Sequence, residues 1–202
     1  MKEIARRKNR FVALFDLDGT LADYDSALAR DLKLLLTPED FENWRANQDE
    51  PRIKNHIRLI RAQPGWWLKL AKLEDGFQLL QLVRELGFSL NILTKGPFSN
   101  SNSWSEKVEW CRQHVSDAAV TITEDKSLVY GKILVDDWPP YVTDWLAFRP
   151  RGLVILPDRP WNQCLEHPQI IRYRDNLSEI RSALEFMQAV GKPPLGGFST
   201  PI

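Results

Sequence analysis

Apolar positions follow two rhythms along this chain. Residues 11–15, 89–93, 118–123, 131–135 and 152–156 form short apolar runs with the length and composition of buried strands. Between and after them apolar residues recur at helical spacing. Leu28, Leu32, Leu35 and Leu36 make one stripe, and Thr37-Pro38-Glu39-Asp40 reads as a fresh helix start, with Thr37 as N-cap and Pro38 at the first helical position. Phe41 and Trp44 give that short helix an apolar edge, and Pro51 opens another with Ile53, Ile57 and Ile60 facing inward. Residues 76–86 predict an amphipathic helix with Phe77, Leu80 and Val83 inward and Gly87 as its left-handed cap. Ser103-Trp104-Ser105-Glu106 has the form of a capping box opening a helix to about His114, with Trp104, Val108 and Cys111 buried. Residues 177–190 predict a closing helix.

Strands alternating with helices predict an open α/β sheet. Residues 24–73 break the alternation, carrying helical signals and no strand, so a helical insertion is expected after the first strand. The predicted organisation is a core of residues 1–23 and 74–191, an inserted helical cap of 24–73, and a mobile Pro- and Gly-containing tail of 192–202.

Composition narrows the class. The chain has 202 residues, 43% apolar and 27% charged, as in a globule able to bury a core. Lys plus Arg (27) balance Asp plus Glu (27), so no global field draws the protein to nucleic acid or to acidic membranes. The basic group Lys2, Arg6, Arg7, Lys8 and Arg10 reads as a solvated terminus. Two cysteines, Cys111 and Cys164, exclude a disulfide framework and a four-cysteine zinc site. With no run of membrane-spanning length and no signal-peptide pattern, a cytoplasmic protein without a membrane partner is expected. His56, His114 and His167 are scattered, with no spacing for a triad or a metal site.

The candidate chemistry lies at the ends of the predicted strands, where an open α/β sheet binds ligands. The first run stops on Asp16-Leu-Asp18-Gly19-Thr20; side chains two apart on an extended backbone share a face, and Gly19 permits a sharp turn. The second ends on Thr94-Lys95-Gly96-Pro97, the third on Glu124-Asp125-Lys126-Ser127, and the fourth on Asp136-Asp137. Adjacent acids repel unless protons or a cation neutralise them. The pair Trp66-Trp67, after Pro64-Gly65, reads either as core and boundary residues or as an aromatic wall for a planar ligand. Trp161-Asn162 lies beyond the fifth run, as a rim residue or a loop anchor.

Asp-x-Asp-Gly-Thr-Leu after an apolar strand, followed in order by Thr94, Lys126 and Asp136-Asp137, resembles the four motifs of the haloacid dehalogenase-like phosphohydrolases. Within that superfamily Leu21-Ala22-Asp23, Pro64-Gly65-Trp66-Trp67, Glu124-Asp125-Lys126-Ser127 and Ile133 to Asp137 resemble the 5′(3′)-deoxyribonucleotidases. The resemblance implies a Rossmann-like parallel sheet and a Mg²⁺-dependent phosphatase acting on nucleoside monophosphates. It implies Asp16 as nucleophile, Asp18 as acid and base, and Thr94 and Lys126 at the phosphate, where Lys95 is a further candidate that either adds a cation or points to water. It further implies Mg²⁺ held by Asp16, the Asp18 carbonyl and Asp137, with Asp136 in the outer shell, and Tyr24, Trp66 and Trp67 at the base. The hard oxygen donors suit Mg²⁺ rather than zinc. At the second motif the chain departs from the family, with Lys95 and Gly96 where Thr-Ser-Pro is usual. Two other readings stand beside this one: the same chemistry on a sugar phosphate or nucleic-acid end, and a nucleotide-binding module without turnover. A small-molecule partner is expected, with no stable nucleic-acid partner and a homodimer left open.

Overall fold

A computed structural model describes residues 11–194. Its six-stranded sheet has the order β3-β2-β1-β4-β5-β6, every neighbouring pair parallel. The strands are β1 (Val12–Phe15), β2 (Ser89–Lys95), β3 (Ala119–Thr123), β4 (Ile133–Val135), β5 (Leu153–Pro157) and β6 (Ile170–Tyr173). Seven α-helices flank them: α1 (Tyr24–Lys33), α2 (Pro38–Asn43), α3 (Pro51–Arg61), α4 (Glu74–Glu85), α5 (Ser101–His114), α6 (Pro139–Ala147) and α7 (Leu177–Val190). Alternation of two decides which face each strand residue covers. Ala13, Phe15, Ile133, Val135 and Ile155 pack with residues of α4, α5 and α7. Leu14, Leu134, Val154 and Leu156 pack on the other side with Val142, Trp145 and Leu146 of α6.

The chain builds β1, β2 and β3 outward in one direction and then returns to place β4 on the other side of β1. The carboxyl ends of β1 and β4 therefore flank the point where strand order reverses, the usual position of an α/β ligand site.

Residues 24–73, between β1 and α4, hold α1, α2, α3 and a 3-10 turn, Trp67–Lys69. Thr37 caps α2 and Gly87, at φ 77°, follows α4, both as expected. Leu28, Leu32 and Leu36 are buried, but Leu35 is exposed because α1 stops at Lys33 and the stripe loses its period. The cap of α5 also differs. Asn100, not Ser103, caps it, accepting from the Ser103 N–H at 3.3 Å, so the helix starts three residues early. The buried face differs as well: Cys111 goes inward as expected, joined by Lys107 and Trp110, while Trp104 and Val108 are exposed.

Two elements do not stand out in the hydrophobic pattern. Helix α6 begins on Pro139-Pro140, which looks like a loop but is preset for a helical first turn. Strand β6 is a short, half-buried edge containing Arg172. The basic terminal residues 2–10 and tail residues 195–202 lie outside the described residues.

Candidate active site

The site begins with β1. The Asp16 N–H donates to the Val135 carbonyl at 2.8 Å, carrying the β1–β4 register one residue past the strand. Its carboxylate therefore emerges beside Asp136 and Asp137. The chain then turns through Gly19 at φ +83°, where a Cβ would stand 2.6 Å from Asp137 Oδ2 and 2.8 Å from Oδ1. Thr20 follows, fully buried, donating from Oγ1 to Asp137 Oδ1 at 2.9 Å.

Asp16, Asp136 and Asp137 are all buried, and one carboxylate oxygen of each lies within 4.8 Å of the others. Lys126 sits among them, with Nζ 2.6 Å from Asp16 Oδ1 and 2.7 Å from Asp136 Oδ2. It reaches this position from a 3-10 turn capped by Asp125, whose Oδ1 accepts from the Ser127 N–H and hydroxyl. The second Asp136 oxygen accepts from the Trp138 N–H at 2.9 Å. Asp137 Oδ2 accepts from Trp161 Nε1 at 3.0 Å, and Asn162 donates to the Asp137 carbonyl. Trp161-Asn162 is thus a brace for Asp137. Its loop is held in turn by Arg172 of β6, which donates to oxygens of Asp158, Asn162 and Leu165.

Three buried carboxylates face one ammonium, so the cluster is electrostatically unfinished. Burial, above all, lifts the Asp16 carboxyl well above its ordinary range, with Lys126 opposing and Asp136 adding. Burial and the neighbouring Asp136 push Asp137 up to about 7, with the Thr20 hydrogen bond and Lys126 opposing. Burial alone would lower the Lys126 ammonium, but Asp136 and Asp16 together raise it. Clustered hard oxygens that need more positive charge fit a divalent cation such as Mg²⁺. The missing Cβ at Gly19 keeps space open beside Asp137.

Asp18 lies apart from the three-acid cluster. Its Oδ2 is 2.5 Å from Lys107 Nζ, while Oδ1 is shut off from solvent and has no hydrogen-bond partner among the described residues. Lys107 also donates to Thr94 Oγ1 at 3.1 Å and to the Lys95 carbonyl at 2.8 Å. Thr94 is fully buried at the end of β2. The Lys95 side chain is exposed and leads the other way, its ammonium 5.6 Å from the Tyr141 ring centroid. There it borders a cavity of about 450 Å³ that Lys126, Tyr141 and Asp144 also line.

The aromatic residues gather into one cluster. Tyr24 stacks on Trp67 with centroids 5.7 Å apart, and Trp66 meets Trp67 edge-on at 4.9 Å. Both tryptophans are buried and Tyr24 is half-buried. Their indole N–H groups are used internally, Trp66 on Asp31 Oδ2 and Trp67 on the Arg61 carbonyl. Glu106 of α5 accepts from the Gly65 and Trp67 N–H groups, tying the aromatic turn to the helix that carries Lys107.

The structure therefore joins Asp16, Lys126, Asp136 and Asp137, and links Asp18 to Thr94 through a residue not anticipated from the sequence. Lys107 carried no expectation from the sequence, since a lysine on a helix is ordinarily a solvated charge. Its only sequence signal was its i+3 and i+4 relation to the buried Trp110 and Cys111.

The sequence model of the family described as 5′ nucleotidase, deoxy (Pyrimidine), cytosolic type C protein matches residues 10–181. A Bordetella pertussis protein named "Putative 5′(3′)-deoxyribonucleotidase" is 29% identical over 160 residues, covering 74% of this chain and 84% of that protein. The human cytosolic-type 5′(3′)-deoxyribonucleotidase is 24% identical over 140 residues, covering 61% of this chain and 69% of its own. Among solved structures, a haloacid dehalogenase-like family hydrolase from Xanthomonas campestris superposes with a TM-score of 0.54 at 14% identity, over 92% of this chain and 95% of its own.

Proposed function

The chain belongs to the 5′ nucleotidase, deoxy (Pyrimidine), cytosolic type C family, and on that premise we propose that it hydrolyses deoxyribonucleoside monophosphates with Mg²⁺ through a phosphorylated Asp16. It is a phosphomonoester hydrolase of the 5′-nucleotidase kind with a haloacid dehalogenase-like fold. The observation that carries the finer reading is the convergence of Asp16, Asp136 and Asp137 around Lys126, with Asp18 two residues beyond the first acid. A site for binding alone has no need of a nucleophile and an acid together.

In this reading both hydrogen bonds to the Asp16 side chain among the described residues fall on Oδ1, from Lys126 and from the Leu17 N–H, leaving Oδ2 for attack on phosphorus. Asp18 protonates the departing ester oxygen and then takes a proton from the water that hydrolyses the acyl phosphate. Covalent catalysis of this kind divides one hard displacement into two easier ones. Mg²⁺ would be held by Asp16, Asp137 and the Asp18 carbonyl, with Asp136 beyond them; it supplies the positive charge that lets a carboxylate approach a phosphate dianion. Lys126 and the Thr94 hydroxyl stabilise the phosphoryl oxygens in the transition state. Lys95, pointing toward Tyr141, serves at the border of this site rather than at its centre.

Residues 24–73 act as a cap over the acids, and the aromatic cluster forms the base side of the pocket. Burial ranks its members: Tyr24 offers the accessible face, and Trp66 and Trp67 back it. Base stacking on such a face is worth roughly 1–3 kcal/mol.

The test is a panel of nucleoside and sugar monophosphates assayed for released phosphate, with Mg²⁺ and with chelator. Deoxyribonucleotides should be turned over best, only with the metal, and Asp16→Asn should abolish turnover while the protein stays folded. Better rates on sugar phosphates would move the substrate class. Turnover in Asp16→Asn would remove the covalent route.

A further inference from the structure

Lysine is almost never fully buried unless paired, and Lys107 is 1% exposed in the middle of α5. An ammonium has three protons and accepts nothing. Those of Lys107 are all assigned, to Asp18 Oδ2, the Lys95 carbonyl and Thr94 Oγ1. The Trp67 ring centroid stands 4.4 Å from the same nitrogen, which keeps water from competing for the three bonds.

The direction of these bonds has two chemical consequences. Thr94 must accept from Lys107, so its own hydroxyl proton is free to be given to another oxygen. Among the described residues Asp18 is gripped through Oδ2 alone, and Oδ1, buried and unpartnered there, is the oxygen left for proton transfer. An ion pair serving stability alone gains nothing from an orphaned buried oxygen, which is costly to leave unsatisfied.

We infer that Lys107 is a positioning residue for the hydrolysis, aiming the free oxygen of Asp18 at the leaving group and the Thr94 hydroxyl at the phosphoryl group. It touches neither reacting atom. As the bond from Asp16 Oδ2 to phosphorus forms and the ester P–O bond breaks, the proton on Asp18 Oδ1 passes to the ester oxygen and the nucleoside leaves as a neutral alcohol. Water then attacks phosphorus as the bond from Asp16 Oδ2 to phosphorus breaks, one water proton returns to Asp18 Oδ1, and phosphate departs, restoring the Asp16 carboxylate. Glu106, the preceding residue, holds the aromatic turn, so one turn of α5 sets the proton donor and the base side of the pocket at a fixed distance.

This rests on the phosphatase reading above, and the experiment separates the two. Lys107→Met and Lys107→Gln are compared with wild type on a deoxyribonucleoside 5′-monophosphate and on p-nitrophenyl phosphate, with Mg²⁺ present and folding checked by near-ultraviolet circular dichroism. The nucleotide loses a basic alkoxide that needs a proton, whereas p-nitrophenolate leaves without one. Lys107→Met should lower kcat/KM for the nucleotide, which reports the steps up to release of the alcohol, on the order of 10²-fold, and should lower it at least about tenfold less for p-nitrophenyl phosphate. Lys107→Gln, which keeps a donor, should recover part of the loss. Equal losses on both esters overturn the inference and leave the phosphatase reading intact; a wild-type protein without Mg²⁺-dependent nucleotide turnover overturns that reading instead. If Lys107→Met does not fold, Lys107→Gln in an Asp18→Asn background decides: no further loss of nucleotide kcat/KM is expected, and additive losses refute the positioning role.

Discussion

Lys126→Met probes the electrostatic balance on which the site depends. Methionine keeps much of the length and apolar bulk of the lysine stem, so packing beside Tyr141 is largely preserved. What disappears is the ammonium bridging Asp16 and Asp136 at 2.6 and 2.7 Å. Removing one partner of a buried ion pair typically costs about 3–5 kcal/mol, because the other charge stays buried without compensation. Here three acids are left together, and they can relieve the strain only by protonation or by binding a cation.

The pH dependence follows from the direction of the shifts. A carboxylate whose folded pKa lies above its unfolded value still holds its proton where the unfolded chain has released one. Its contribution is complete below the unfolded value and drains away as pH rises through the folded one. For Asp137 that window runs from 3.8 to about 7. Three pH units at about 1.4 kcal/mol each make it worth up to about 4 kcal/mol. Lys126 opposes the upward shift of both Asp16 and Asp137, so its loss lifts them further. The penalty of Lys126→Met should therefore be smaller near pH 5, where Asp137 holds its proton, and reach about 3–5 kcal/mol near pH 8. Mg²⁺ should restore much of it near pH 8, since a ligand that binds only the folded state stabilises it by mass action. Urea unfolding followed by tryptophan fluorescence at both pH values, with chelator and with Mg²⁺, measures each quantity. A loss under about 1 kcal/mol near pH 8 without metal, or a larger loss near pH 5, would refute the reasoning.

Three further outcomes are expected. Gly19→Ala places a methyl against both Asp137 oxygens at a backbone angle costing alanine about 1–2 kcal/mol; the Mg²⁺-induced rise in melting temperature should shrink, and an unchanged rise would remove Asp137 from the metal site. Trp67→Ala should cost about 3–5 kcal/mol as a core truncation and raise KM for a deoxyribonucleotide more than for p-nitrophenyl phosphate; equal changes would confine Trp67 to packing. A thiol reagent should modify exposed Cys164 quickly in the native protein and reach Cys111 only after denaturation, because burial, with Asp18 adding, pushes the Cys111 thiol up to about 12; rapid native labelling of both would contradict the packing of α5.

Charged residues were legible where they came after a strong strand and obscure where they lay on a helix. Asp16, Asp18, Asp136 and Asp137 each sit just past an apolar run, and the strands of a parallel sheet all deliver their next residues to the same edge. Lys107 shows the opposite case. A lysine twelve residues past a strand could face any direction, and a one-residue difference in helix phase separates a buried ammonium from a solvated one. Lys95, directly after Thr94, points across to Tyr141, since neighbours on a strand face opposite sides. Arg172 belongs to an edge strand too short and too polar to show a period, yet it organises the loop whose Trp161 braces Asp137.

Local sequence determined which segments became strands and helices, because burial period, proline placement and cap chemistry act within a few residues. It also determined the order of the acidic strand ends, and with it the kind of chemistry. Tertiary structure alone decided which oxygen each lysine grips, how the two tryptophans share their faces with Tyr24, and that Asp18 stands apart from the other three acids. Those outcomes depend on where distant segments meet, and a buried charge accepts whatever partner the packing brings within about 3 Å.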